Sequence, residues 1–136
     1  MNKYLSLLLL ISHNSFAEEK VDCEKASTTI EMNVCAMQKA DQAHEMLEKY
    51  LAKAREKYSD EKPIVGALNV SQESWLKYRK AHCDAVYKQW SGGTIRGVMF
   101  AGCMLKLTKL RTHVIWGDYL TYMDSTPPML PEPKLY

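Results

Sequence analysis

Thr28-Thr29-Ile30-Glu31-Met32-Asn33-Val34-Cys35-Ala36-Met37-Gln38-Lys39-Ala40-Asp41-Gln42-Ala43-His44-Glu45-Met46-Leu47 is the stretch on which the fold turns. Thr28 followed three residues later by Glu31 has the capping-box spacing, in which the hydroxyl accepts an orphan N–H of the first turn and the carboxylate reaches back to the cap. Behind it Ala36, Ala40, Ala43, Leu47, Tyr50 and Ala54 recur at alternating steps of four and three. That period predicts a helix over about residues 28–58 with a narrow apolar stripe, and the alanines let a neighbouring helix come close.

Ser59-Asp60-Glu61-Lys62-Pro63 ends this pattern with turn residues and a proline. A second helix is expected from about Ile64 to Trp90, with a fresh start near Asn69 that Ser71 is able to cap. Its stripe is Leu68, Gln72, Trp75, Arg79, His82 or Cys83, Val86 and Trp90. Ser91-Gly92-Gly93-Thr94 reads as a turn, with Thr94 placed to cap a third helix from about Ile95 to Tyr122. That helix carries Met99, Cys103, Leu107, Leu110, Val114 and Trp116, and Gly117 is where it ends or bends. From Ser125 to Pro133 the prolines exclude a helix and predict an extended tail. No segment alternates as a strand does, so the expected class is all-α: a small bundle of about three to four helices, residues 18–124, with a Pro-rich tail over 125–136.

The chain opens Met1-Asn2-Lys3-Tyr4, with one positive charge ahead of an apolar core from Leu5 to Ile11, and Ser15 and Ala17 as small residues ahead of Glu18-Glu19. This is the order of a signal peptide over residues 1–17, cleaved near Ala17. The core is too short for a stable membrane span, and the remainder holds no apolar run of the roughly 20 residues a span needs. The expected location is therefore periplasmic or secreted. Losing Lys3 with the leader leaves a net charge of about +1, which gives no reason to expect nucleic acid as a partner. The charges are divided along the chain. Residues 18–48 hold eight acids and three bases, and residues 49–136 hold fourteen bases and eight acids. Faces of opposite sign follow.

Four cysteines in an exported domain of this size imply two disulfides, and four allow three pairings. Cys83 lies nine residues before Gly92 and Cys103 ten after Gly93. In an antiparallel hairpin both then stand about 14 Å from the turn, at matching height. Cys35 is two turns inside the first helix, within reach of Cys23 if the chain folds back on entering it. The predicted pairs are Cys23 with Cys35 and Cys83 with Cys103. No C-x-x-C occurs, and the oxidising compartment favours disulfides over a metal site.

Taken together, Cys23, Thr28-x-x-Glu31-Met32-Asn33-x-Cys35-Ala36, Ala40-Asp41, Trp75-Leu76-x-Tyr78-Arg79-x-x-x-Cys83, Gly92-Gly93-Thr94, Cys103 and Leu107-Thr108-x-x-Arg111 resemble the LprI-type lysozyme inhibitor domain family, over about residues 22–115. The resemblance implies an exported all-helical domain and, for some members, inhibition of lysozyme. The chain departs from the family pattern where His44 and Glu45 follow Ala40-Asp41, and in the displacement of a tyrosine to Tyr50.

Gln72, Trp75 and Arg79 share one helical stripe, so Arg79 sits in an otherwise apolar seam and needs a carboxylate or carbonyl partner. Asp41 is the expected partner, in a structural ion pair that fixes helix register; the alternative is that Arg79 and Arg111 form an exposed anion site. Tyr50, Tyr58, Tyr78, Tyr87, Trp90 and Trp116 supply amphipathic aromatics for the core or for a protein partner. Tyr119, Tyr122 and the tail through Tyr136 read as an attachable arm. The histidines at 44, 82 and 113 have no nucleophile at a recognisable spacing, and neither G-x-S-x-G nor H-E-x-x-H occurs, so no enzyme and no cofactor is expected. The expected function is inhibition of a lysozyme-type peptidoglycan hydrolase by covering its cleft, with the acidic 18–48 region as the contacting face. The alternatives are an immunity protein against a delivered toxin, or a non-catalytic structural module of the envelope.

Overall fold

A computed structural model describes residues 21–135; the expected leader over residues 1–17 lies outside them. Three helices make up most of this span: α1, Thr29–Lys57; α2, Lys62–Gln89; and α3, Arg96–Ile115, which runs on into a short π-helical turn, Trp116–Leu120. No strand occurs among the described residues.

The start of α1 is the one the sequence dictates. Thr28 is in extended conformation, its Oγ1 accepts from the Glu31 N–H at 3.2 Å, and a Glu31 carboxylate oxygen accepts from the Thr28 N–H at 2.9 Å. The Ser27 N–H donates to the same oxygen at 2.9 Å. These backbone donors, Thr28 foremost, hold the Glu31 carboxyl below the ordinary glutamate range.

Pro63 lies in the first turn of α2, where its missing N–H costs nothing. The helix then continues unbroken through Asn69, contrary to the expected restart. Ser71 and Ser74 do not cap: their hydroxyls donate back to the carbonyls of Leu68 and Val70, both at 3.0 Å. Asn69 is held instead from outside the helix, its Oδ1 accepting from Arg55 Nε of α1 at 2.8 Å. The expected Thr94 cap is also absent, because the chain is already helical at Ile95 and α3 starts without a side-chain cap. Neither glycine of the Gly92-Gly93 turn takes a positive φ.

α3 is the central helix and packs against both others, whereas α1 and α2 diverge from their shared turn. The strands of contact follow from the chain path: α2 runs back along α3, and α1 lies parallel to α3, with Asn33 near Gly97 at one end and Leu51 near Ile115 at the other. Gly97 lets the Asn33 side chain lie close, since a Cβ there would stand 2.5 Å from Asn33 Oδ1 and oblige that side chain to move.

The core is formed by Leu47, Tyr50, Leu51, Ala54, Leu68, Ile115 and Leu120, with Trp75, Trp116, Tyr119, Met129 and Leu130 packed on it. The α1 stripe is as predicted at Ala40, Leu47, Tyr50 and Ala54. The α3 stripe is not: Leu110 and Val114 are exposed, and the buried line is Ala101, Thr108, Thr112 and Ile115. α3 has a neighbour on each side, so the line it buries is set by where they lie and not by its apolar period alone. The two threonines are tolerated there because their hydroxyls donate to the carbonyls of Met104 and Thr108 at 2.7 and 2.9 Å.

Disulfides join Cys23 to Cys35 and Cys83 to Cys103, with Cα separations of 5.5 and 5.6 Å. The first pins the segment entering α1, and the second clamps the α2–α3 hairpin. Cys83, not His82, is the buried member of that position on the stripe.

The proline-rich segment is neither helix nor strand, and it lies back on the bundle rather than projecting as an arm. The Met129 N–H donates to the Leu120 carbonyl at 2.9 Å, Trp116 Nε1 to the Leu130 carbonyl at 2.9 Å, and the Tyr50 hydroxyl to the Pro131 carbonyl at 2.7 Å. His113 and Glu132 meet at 2.8 Å. Lys57 Nζ donates to the Tyr119 carbonyl at 2.9 Å and lies over the Tyr122 ring, which ties the start of this segment to the end of α1.

Candidate functional site

The residues singled out on α2 and α3 converge. Gln72, Trp75 and Arg79 occupy one line of α2, and Thr108 and Arg111 face them from α3. Arg79 Nη1 donates to Thr108 Oγ1 at 2.8 Å, and Thr108, whose own proton goes to the Met104 carbonyl, is free to accept it. Arg111 Nε donates to Gln72 Oε1 at 3.1 Å and Nη2 to Ser71 Oγ at 2.9 Å. The Arg79 and Arg111 guanidinium carbons stand 4.8 and 5.9 Å from the centre of the Trp75 ring, so one indole serves two cations.

The expected Arg79–Asp41 ion pair is absent. Asp41 is exposed, and no carboxylate among the described residues comes within ion-pair distance of Arg79 or Arg111. Asp41 sits toward the solvent edge of the α1 stripe, whereas the hydroxyl of Thr108 is directly beneath Arg79. Burial disfavours both cations and lowers both pKa values; Glu48 opposes this at Arg79, and Tyr119 and Asp118 at Arg111, all from beyond direct contact. Arg79 Nε and Gln72 Nε2 are buried without any acceptor. The arrangement therefore holds two half-buried positive charges on neutral acceptors only.

The other predicted residues lie apart from this cluster. Thr28 and Glu31 cap α1, and the four cysteines form the two disulfides. Gly92 and Gly93 line an open cavity of about 590 Å³ at the start of α1, with Asn33, Tyr87 and Arg96. A cavity of about 500 Å³ between α1, α3 and the C-terminal segment is walled by Ala43, Met46, Tyr50 and Leu105, with Lys39 and Lys109 beside them; of the aromatics singled out in the sequence, Tyr50 lines it. Ser71, which completes the Arg111 contacts, was read from sequence only as a cap. Its position one residue before Gln72, on the flank of the same stripe, is the signal that points to it.

The acids of α1 and of the segment entering it face outward: Asp22 and Glu24 before the helix and Asp41, Glu45 and Glu48 on it are exposed, and so are Ile30, Met32, Val34, Met37 and Met46 of α1. No group of acids, histidines and cysteines that would hold a metal ion occurs among the described residues. No described helix is long and apolar enough to cross a membrane.

No solved structure matches the chain. An uncharacterized protein of Rhizobium meliloti (strain 1021), R02472, is 28% identical over 120 residues, covering 79% of this chain and 86% of that protein. The model of the family described as lysozyme inhibitor LprI matches residues 22–114, which take in both disulfides, α1, α2, the Trp75 cluster and all but the last residue of α3. With that span of more than half its length matched, the chain belongs to the LprI family.

Proposed function

We propose that this protein is an exported, non-catalytic inhibitor that binds a lysozyme-type peptidoglycan hydrolase and covers its cleft. The observation that carries this reading is the family match over residues 22–114. Two disulfides in a domain of three helices fit a protein working outside the reducing cytosol. The acids exposed along α1, interleaved with exposed apolar side chains, suit a cationic protein partner: long-range attraction speeds encounter, and the apolar residues supply contact area.

Sedimentation of the purified protein with lysozyme at low and high salt tests this. The expected result is a complex at low salt that dissociates as salt rises, because exposed charges are screened beyond a Debye length of about 10 Å at 0.1 M. Two independent sedimenting species at low salt, at micromolar concentrations of both proteins, would remove lysozyme as the target.

A further inference from the structure

Arg79 and Arg111 pose a physical problem that the folded chain leaves open. Partly buried cations are ordinarily paired with an anion, and losing water without one is unfavourable. Here the acceptors are a threonine hydroxyl, a glutamine carbonyl and a serine hydroxyl, all neutral. Arg79 Nη2 and Arg111 Nη1 have no acceptor among the described residues, and Arg79 Nε is buried without one. Each guanidinium is already tethered by hydrogen bonds and lies beside the Trp75 ring, which restricts it before anything binds.

From this geometry we infer that Arg79 and Arg111, set around Trp75, form a receiving site for a carboxylate, and that the carboxylate is an acidic side chain of the bound hydrolase. The choice of source rests on the function proposed above. A glycoside hydrolase of this kind keeps a pair of carboxylates at its cleft, and the unengaged Arg79 Nη2 and Arg111 Nη1 are donors of the kind that make short, charge-assisted hydrogen bonds to a carboxylate. Glu48 and Asp118, the acids whose field reaches the two arginines, lie outside ion-pair distance and do not occupy the position.

The test has two parts that fail separately. In the first, the Arg Nε–Hε resonances of the whole protein are followed by NMR as acetate is added against a chloride control of equal ionic strength. The expected result is a saturable shift of the Arg79 and Arg111 signals with acetate and none with chloride; no shift, or the same shift with chloride, overturns the carboxylate site whatever the protein's target. In the second, Arg79→Gln and Arg111→Gln are each compared with wild type for lysozyme affinity, after thermal unfolding shows a cooperative transition. Each is expected to weaken binding about tenfold or more. Unchanged affinity in both, or an acetate shift in a wild-type protein that binds no lysozyme, overturns the hydrolase side chain as the occupant.

Discussion

Thr108 is the residue on which the arginine cluster depends most. Its hydroxyl is the one acceptor Arg79 has among the described residues, and it is fully buried. Thr108→Val keeps the shape and removes the acceptor, so it is expected to lower stability by about 1.5–3 kcal/mol, the range for hydrogen bonds to charged groups, as read from denaturant unfolding. Asp41→Ala is expected to leave stability within about 0.5 kcal/mol of wild type, since the side chain is exposed and takes no part in an ion pair. A large loss at Asp41 would restore the register-fixing ion pair that the structure does not contain.

At the start of α1, Thr28→Ala should lower stability by about 1 kcal/mol through loss of the cap. Glu31 adds an acid dependence. Its folded-state pKa lies below the ordinary glutamate value that it has when unfolded, so its contribution is fully present above that ordinary value and is lost as pH falls through the folded one. Thermal unfolding across this acid window should show wild type losing ground against Glu31→Gln, which has no carboxylate to protonate. Parallel curves for the two proteins would contradict the cap assignment.

Among the elements, the cap, the turn and the α1 stripe were legible because each depends on residues close in sequence. The disulfide pairs were legible for the same reason, being set by helix rise and turn position. The α3 stripe was not. Leu110 and Val114 have the right period, but which face a helix buries depends on where its neighbours lie, and α3 has two. Gly97 was missed because nothing local distinguishes a glycine that admits Asn33 from one, such as Gly66, with open space around it. The arginine cluster was legible as a stripe containing Arg79, while its acceptor was not, since a hydroxyl 29 residues away leaves no local trace.

The C-terminal segment teaches the same lesson on a larger scale. Prolines correctly exclude a helix, yet they do not say whether extended chain projects or docks; here Trp116, Leu120 and Tyr50 provide three hydrogen bonds that hold it down. Truncation after Asp124 would uncover the apolar surface that Met129 and Leu130 now cover and is expected to cost at least about 2 kcal/mol in stability, read as a lowered thermal midpoint. An unchanged midpoint would mean that the segment contributes nothing to the bundle in solution. Replacing Cys83 and Cys103 together by alanine should remove about 3 kcal/mol, because the closed loop of this length restricts the unfolded chain.

For the whole molecule, α3 ties together two features of opposite sign: an α1 helix that presents acids to solvent, and an α2–α3 face that holds two cations without a counter-charge. A cationic hydrolase with an acidic cleft is complementary to both. The direct measurement is the rate at which lysozyme clears peptidoglycan as the purified protein is added at low salt. The expected result is a rate that falls to a small residual as the protein approaches and passes equimolar concentration, with added salt relieving the inhibition. An undiminished rate at micromolar excess of the protein would contradict it.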